Sequence, residues 1–148
     1  MQWIIGSDHA GFKAKESLKL LLQEQWHDEV VDVGTASEES CAYPEFAMRV
    51  CAQVATHQDA RGILICGTGI GMSMVANRYA HIRAALCQTP AQAQLAREHN
   101  DANVLCLGAR ILTLDQMQAI LKIFKATDFA QGRHQARVAL FDSLGEKI

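Results

Sequence analysis

The sequence predicts an α/β fold, in which a five-stranded parallel sheet is covered by helices on both faces and followed by a C-terminal helix. Two observations support this prediction. Five short β-like runs alternate with segments of helical periodicity along the whole chain. Several of these runs are apolar at nearly every position, as expected of parallel strands that are buried on both faces. Strict alternation of this kind is typical of a three-layer, doubly wound, Rossmann-like sheet with right-handed crossovers.

The five predicted strands are short, and each gap between them is long enough for a crossover connection. In chain order they are Trp3–Ile5, Val30–Val33, Gly62–Cys66, Arg83–Cys87 and Asn103–Leu107. Their brevity and apolar character favour one central sheet that is shielded from water.

The predicted helices repeat apolar residues at helical spacing. Two such sets are Ala14, Leu18, Leu21 and Leu22, and Phe46, Ala47, Val50, Cys51 and Val54. Pro44 is expected as the first helical residue of the second set. Thr113 and Gln116 can form a capping box ahead of Met117, Ile120, Leu121 and Phe124. A final pattern of Val138, Phe141 and Leu144 predicts the C-terminal helix.

Composition excludes several classes of function. The 148 residues fit one domain, residues 1–148, and the formal net charge of −2 gives no field that would attract nucleic acid or an anionic membrane. No apolar stretch approaches the roughly 20 residues that span a bilayer, and the N-terminus lacks a signal-peptide layout. Five widely spaced cysteines, without a Cys-x-x-Cys pair, indicate reduced thiols and no zinc site. We therefore expect a cytoplasmic protein.

Distinctive residues follow four of the five predicted strands. They are Gly6-Ser7-Asp8-His9, Gly34-Thr35, Cys66-Gly67-Thr68-Gly69 and Gly108-Ala109-Arg110. In doubly wound sheets, ligands bind outside the carboxyl ends of the strands, so these segments are candidates for the site. Asp8 and His9 have two interpretations, a helix N-cap followed by a solvated imidazole or a catalytic pair.

The segment Cys66 to Gly71 presents one thiol beside a glycine-rich turn. Gly67-Thr68-Gly69-Ile70-Gly71 is G-x-G-x-G rather than the dinucleotide pattern G-x-G-x-x-G, and the lysine of a P-loop is missing. Met72 stands where a cysteine phosphatase would close its phosphate loop with arginine. Cys66 is then a base or a nucleophile near donors for an oxyanion, or simply a buried core cysteine.

Two further clusters are candidates for substrate contacts. His99 and Asn100 lie just before the fifth predicted strand, and Arg133 and Arg137 are four residues apart at the start of the last helix. Two arginines on one helical face can hold a phosphate from two sides, although a solvated basic face is the commoner case. His99 alone could equally be a helix-end residue favoured by the helix dipole.

Taken together, these motifs resemble the ribose-5-phosphate isomerase B family of sugar-phosphate isomerases. The resemblance runs in order and spacing from residue 4 to about residue 140. It is carried by Ser7-Asp8-His9-Ala10-Gly11-Phe12, Tyr43-Pro44, Ile65 to Gly71, Ala76-Asn77, Arg83-Ala84, His99 to Leu105 and Gly132-Arg133-His134-x-x-Arg137. It implies interconversion of ribose 5-phosphate and ribulose 5-phosphate through an enediolate.

The resemblance also implies a role for each candidate residue. Cys66 would be the base that removes the proton beside the carbonyl, because Met72 occupies the position of the glutamate found in another branch of the family. Thr68 and the loop of Gly67, Gly69, Ile70 and Gly71 would bind substrate and stabilise the enediolate. His99 and Asp8 would open the sugar ring. The expected sugar and phosphate contacts are Asn100, Tyr43, His9, Arg110, Arg133, His134 and Arg137. A thiolate base with fixed N–H donors needs no metal, and no cofactor is expected.

The position of His99 implies a partner chain. His99 and Asn100 precede the fifth strand, which puts them near its amino end and away from the loop of Cys66. We therefore expect a homodimer with composite sites, with a tetramer as a further assembly. One departure from the family is Ala42, where relatives often carry aspartate before the Tyr-Pro pair. The open alternatives are an isomerase of a six-carbon sugar phosphate (allose 6-phosphate or galactose 6-phosphate) and a non-catalytic sugar-phosphate-binding module.

Overall fold

The structure is a computed structural model that describes residues 1–57 and 59–148. Its five strands are β1 (Gln2–Ser7), β2 (Glu29–Asp32), β3 (Ala60–Cys66), β4 (Ala84–Leu86) and β5 (Val104–Gly108). They form one parallel sheet in the order β2-β1-β3-β5-β4. The predicted five-stranded parallel sheet is confirmed.

Helices cover both faces of this sheet. A 3₁₀ turn (His9–Gly11) leads into α1 (Phe12–Leu20), which continues as a π-helical turn (Leu21–Gln25). The other helices are α2 (Tyr43–Thr56), α3 (Ile70–Ala76), α4 (Pro90–Asn100), α5 (Leu114–Ala126) and α6 (Arg133–Ala139). None of the helices in the described ranges is long and apolar enough to cross a membrane.

Two apolar cores lie on the two faces of the sheet. Successive strand residues point to opposite faces, so Ile5 packs with α1, α4 and α5, whereas Ile4 packs with α2 and α3. Both side chains are fully buried. This is the three-layer arrangement that the near-continuous apolar strands predict.

Local signals start the helices close to where the sequence predicts. The capping box of Thr113 and Gln116 is present at the start of α5. Pro44 is the second residue of α2, because the helix begins one residue earlier, at Tyr43. Strand bounds differ from the predicted ones by one or two residues, as in β2, which begins at Glu29 rather than Val30.

The last helix is shorter than its apolar pattern indicates. α6 ends at Ala139, and Phe141 and Leu144 are 39% and 66% exposed. The segment after α6 turns back onto the connection between α3 and β4, where Asp142 accepts the N–H of His81 and Glu146 accepts that of Ala80. Its backbone is used in these contacts and does not continue the helix, so the predicted extension of the helix to Leu144 is wrong.

The order of strands defines where a ligand can enter. The chain passes from β1 to β2 on one side and returns to β3 on the other side of β1, so the strand order reverses between β1 and β3. In doubly wound sheets the crevice forms at the carboxyl ends of the two strands at such a point. Here those ends are Ser7 and Cys66.

Candidate active site

Asp8 and Cys66 lie on neighbouring strand ends at this crevice. Ser7 pairs with Ile65 in the sheet, and the N–H of Asp8 donates to the carbonyl of Ile65 at 3.3 Å. The 3₁₀ turn that follows packs directly on β3, since a Cβ added to Gly11 would lie 2.5 Å from the Ile65 oxygen. The structure therefore brings Asp8, expected to take part in ring opening, and Cys66, the expected base, to one edge of the sheet.

The Cys66 thiol lies beneath the glycine-rich turn. The residue is 5% exposed, and the backbone N–H of Gly69 donates to Sγ at 3.1 Å. Gly69 adopts a φ of +77°, a left-handed conformation that glycine reaches without strain. An N–H donor in this position stabilises negative charge on sulfur, so the turn can hold a thiolate.

The other fully buried cysteines differ from Cys66 in their surroundings. Burial raises the pKa of Cys51 to about 12 and that of Cys87 to about 11. Burial also raises the pKa of Cys106 well above its ordinary value, because this thiol lies in the middle of β5. These three thiols stay protonated at neutral pH and are suited to packing, not to proton transfer.

Side chains from two other elements flank the glycine-rich turn. The Tyr43 ring lies over Gly71, where an added Cβ would be 2.7 Å from Cζ. The Arg110 guanidinium group lies over Gly67, 3.3 Å from the position of an added Cβ, and the backbone N–H of Arg110 donates to the Gly67 carbonyl at 2.9 Å. Thr68 faces the solvent, and its hydroxyl accepts the N–H of Ile70 at 3.3 Å. Tyr43 and Arg110 are thus placed at the same opening as Cys66.

Asp8 and His9 are both held by backbone N–H groups. Asp8 is 6% exposed and accepts the N–H of Gly11 at 3.1 Å, so its interpretation as an N-cap is confirmed. His9 Nδ1 accepts the N–H of Cys41 at 3.3 Å, and the Cys41 thiol lies 3.9 Å from the same atom. With Nδ1 as acceptor, the neutral ring carries its proton on Nε2, where it can be donated to an anion.

Below this edge, a charged network supports the ends of β1 and β2. Lys15 is 1% exposed and donates to Asp32 and Glu16. Burial alone would raise the pKa of Asp32. The hydrogen bonds that it accepts from Lys15 and Lys19 have the larger effect, so its pKa lies below the ordinary value. The stem of Lys15 fills the space beside Gly34, where an added Cβ would be 2.8 Å from Cδ.

A second group of candidate residues lies on α4 and α6. His99 and Asn100 are the last two residues of α4, and Arg133, His134 and Arg137 lie on α6. The rings of His99 and His134 stack with centroids 4.2 Å apart and an interplanar angle of 11°. The pKa of His134 is lowered, mainly because its ring is partly shielded from solvent and also because of the charges of His99, Arg133 and Arg137 nearby. The stack thus joins α4 to α6, and Arg133 and Arg137 lie near His134 on α6.

The two groups are at opposite edges of the sheet. α4 ends before β5, whose first residue, Val104, pairs with Gly62, whereas Cys66 pairs with Gly108 at the other end. Four residues along a strand correspond to about 13 Å. The expected separation of His99 from Cys66 within one chain is confirmed.

Sequence reasoning missed the contacts that position these groups. The Cys41 N–H donates to His9 Nδ1 across a separation of 32 residues and so orients the His9 ring. Gly108, which belongs to the candidate segment after the fifth predicted strand, packs against the glycine-rich turn, because an added Cβ there would lie 2.6 Å from the Thr68 carbonyl oxygen. No local pattern in the sequence marks the contact of Cys41 with His9. Met72 is fully buried in the core.

Comparisons with known proteins identify the family. The model of the ribose/galactose isomerase family matches residues 3–141. The chain is 42% identical to ribose-5-phosphate isomerase B of Escherichia coli over 142 residues, covering 96% of this chain and 95% of the relative.

Solved structures agree over nearly the whole length. Ribose 5-phosphate isomerase B of Thermotoga maritima superposes with a TM-score of 0.92 at 45% identity, covering 95% of this chain and 97% of the other. The enzyme of Mycoplasma genitalium, solved with bound ribulose-5-phosphate, superposes with a TM-score of 0.90 at 38% identity, covering 94% and 92%. This chain belongs to the ribose/galactose isomerase family.

Proposed function

We propose that the chain is a ribose-5-phosphate isomerase, which interconverts D-ribose 5-phosphate and D-ribulose 5-phosphate through an enediolate. The observation that carries the proposal is the Cys66 thiol, which accepts an N–H from the glycine-rich turn at the switch point of the sheet. Proton removal by this base creates an oxyanion on the substrate, which needs hydrogen-bond donors nearby. The glycine-rich turn supplies backbone N–H groups there.

In the proposed reaction, Cys66 moves one proton between two neighbouring carbons. The thiolate takes the proton from C2 of the open-chain aldose, and the electron pair forms the C1–C2 double bond of the enediolate. The hydroxyl proton on O2 moves to O1, and the Cys66 thiol returns its proton to C1, which gives the ketose and regenerates the thiolate. Thr68 and the N–H groups of Gly67, Gly69 and Gly71 stabilise the oxyanion, whose charge develops only during the reaction, and Ile70 lies beside the substrate.

The remaining candidate residues bind and prepare the substrate. Asp8 and His99 open the sugar ring, Asn100 contacts the sugar, and Tyr43 shapes the pocket against Gly71. The phosphate ligands are His9, Arg110, Arg133, His134 and Arg137. His9 is suited to this because its Nδ1 accepts the Cys41 N–H and its Nε2 carries the proton.

The distance between the two groups of residues supports a composite site in a homodimer. One chain holds Cys66 and His99 at opposite edges of its sheet, so one substrate a few ångströms long cannot contact both. A partner chain that brings its α4 and α6 to the carboxyl edge would complete each site. In a two-fold dimer the same contact is made twice. Further pairing of dimers into a tetramer remains compatible with this arrangement.

We also place the protein in the cytoplasm. All five cysteines are free in the structure, and four of them are buried in the cores. Free thiols in these numbers are typical of a reducing compartment.

The test is turnover of ribose 5-phosphate and allose 6-phosphate by the wild type and by Cys66→Ala. Loss of the base is expected to lower kcat on ribose 5-phosphate by about 10³-fold, while substrate still binds. Arg137→Ala is expected to raise KM instead, because a phosphate contact acts in both the ground state and the transition state.

Cys87→Ala is the matched control, because it also removes a buried thiol but lies outside the site. It is expected to keep wild-type turnover. Wild-type rates in Cys66→Ala would exclude Cys66 as the base. A wild type that prefers allose 6-phosphate would correct the substrate, and one that binds both sugars without turnover would make the chain a binding module.

A further inference from the structure

The imidazole rings of His99 on α4 and His134 on α6 stack on each other. The two rings are nearly parallel, at 11°, with centroids 4.2 Å apart. A backbone hydrogen bond from Ala130 to the Glu98 carbonyl, at 3.0 Å, fixes the segment before α6 against the end of α4. The backbone therefore holds the two helices at a spacing that a ring at position 134 fills.

The surroundings of the stack favour a neutral ring at His134. His99 lies in the last turn of α4. His134 faces Arg133 and Arg137 of its own helix, and Glu98 and His99 of α4. Partial loss of solvent and the positive charges of Arg133 and Arg137 lower the pKa of His134, which favours its neutral form. A neutral ring at position 134 can stack on the His99 ring, whereas two stacked imidazolium rings would repel each other.

We propose that His134 is a positioning residue, whose ring face holds the His99 imidazole in the orientation that ring opening requires. The inference rests on the proposed function, in which His99 and Asp8 open the cyclic sugar. In that step the C1–O4 bond breaks, O4 gains a proton and the hydroxyl on C1 loses one, which leaves an aldehyde. Proton transfer of this kind depends on the direction of the imidazole nitrogen, so a ring that rotates freely is a poor donor.

One property of the two substrates separates ring opening from the transfer at carbon. Ribose 5-phosphate is mainly cyclic and must open before it reacts. Ribulose 5-phosphate is acyclic, because its 5-oxygen carries the phosphate and cannot close a ring onto C2. In D₂O, the exchange of its C1 proton requires Cys66 but no ring opening. The ratio of ribose 5-phosphate turnover to this exchange, each at saturating substrate, therefore reports on His99.

Two variants of His134 distinguish stacking from phosphate binding. His134→Phe keeps a ring face but has no nitrogen, whereas His134→Asn keeps a polar group but has no ring. If His134 positions His99, the ratio is expected to fall by about tenfold in His134→Asn and to stay within about twofold of the wild type in His134→Phe. If His134 only binds phosphate, His134→Phe raises both KM values more than His134→Asn does, and neither variant changes the ratio.

Gln135→Ala is the matched control, because Gln135 is an exposed neighbour on the same helix. It is expected to change neither rate. An unchanged ratio in His134→Asn, with the wild type active, would overturn the positioning role and leave the proposed function intact. A wild type that shows neither turnover nor exchange would overturn the proposed function and the inference with it. Because His134 is on the surface of α6, both variants are expected to keep the wild-type circular dichroism spectrum.

Discussion

The two halves of the candidate site are held by different parts of the molecule. The strand-end cluster (Asp8, His9, Cys66, Thr68 and Arg110) is built on buried backbone, with Asp8 and Cys66 at most 6% exposed. The helix cluster (His99, Asn100, Arg133, His134 and Arg137) lies on the end of α4 and on the seven-residue helix α6, of which only Val138 is buried. The reacting group is therefore fixed by the core of its own chain, whereas the helix cluster is exposed and available to another chain.

The prediction with the largest expected effect concerns whether each active site takes its strand-end cluster from one chain and its helix cluster from the other. Cys66→Ala disables the strand-end cluster and His99→Asn disables the helix cluster, so each variant alone is expected to be nearly inactive. If sites are composite, a mixed dimer contains one site with both defects and one site with neither. When equal amounts of the two variants are unfolded and refolded together, about a quarter of wild-type activity is expected to return in a two-fold dimer.

The control for this experiment is a mixture of Cys66→Ala with Cys66→Ala,His99→Asn, in which every site lacks the base. It should remain inactive. Activity that stays near zero in the first mixture, despite exchange of subunits, would mean that each chain supplies its own His99.

A pair of glycine substitutions compares how tightly the two clusters are packed. An added Cβ at Gly11 would lie 2.5 Å from the Ile65 oxygen, and the strand end cannot move without displacing Cys66. At Gly132, before α6, nothing lies within 4 Å, and only the φ of +56° opposes a side chain. Gly11→Ala is expected to cost about 3 kcal/mol of unfolding free energy, and Gly132→Ala about 1 kcal/mol. Urea unfolding measures both values, and equal costs would contradict the difference in packing.

An acid titration compares the charged supports of the two clusters. The folded-state pKa of Asp32 is below its ordinary value of 3.8, so its contribution to stability is present above about pH 4 and is lost as the pH falls through the folded-state pKa. Asp32→Asn leaves Lys15 buried with one carboxylate fewer and is expected to cost about 2 kcal/mol at pH 7. The loss of stability between pH 5 and pH 3, followed by urea unfolding, should be smaller in the variant.

Asp142→Asn is the matched variant on the side of the helix cluster. Asp142 pairs with His81 and Arg83, which are 64% and 15% exposed, whereas Lys15 beside Asp32 is 1% exposed, so water screens the pairs of Asp142 more than the Lys15–Asp32 pair. Its cost at pH 7 should be less than half that of Asp32→Asn. A larger cost would mean that the helix cluster is supported as firmly as the strand ends.

The difference between the strand-end cluster and the helix cluster also explains which features could be predicted from the sequence. Apolar strands and the residues that follow them are local patterns, so the sheet, Asp8 and Cys66 could be placed at one edge from the sequence. The order of elements also separated His99 from Cys66. The contact of Cys41 with His9 and the stack of His99 on His134 join distant segments and have no local pattern. The apolar spacing of Phe141 and Leu144 indicated a helix, but backbone bonds to His81 and Ala80 direct that segment elsewhere.

The smallest expected effect concerns Tyr43, which reaches the strand-end cluster from the first turn of α2. The N-cap of this helix is Ala42, which has an extended backbone and makes no side-chain hydrogen bond to the helix. An aspartate there can accept a backbone N–H of the first turn and interact favourably with the helix dipole. Ala42→Asp is expected to stabilise the protein by about 1 kcal/mol, which raises Tm by about 3 °C for a chain of this size. Ala42→Asn, which caps without charge, should give most of this gain if hydrogen bonding is its main source. Thermal unfolding measures both variants, and a fall in Tm for Ala42→Asp would mean that Glu45 and the surrounding loop oppose a charge at this position.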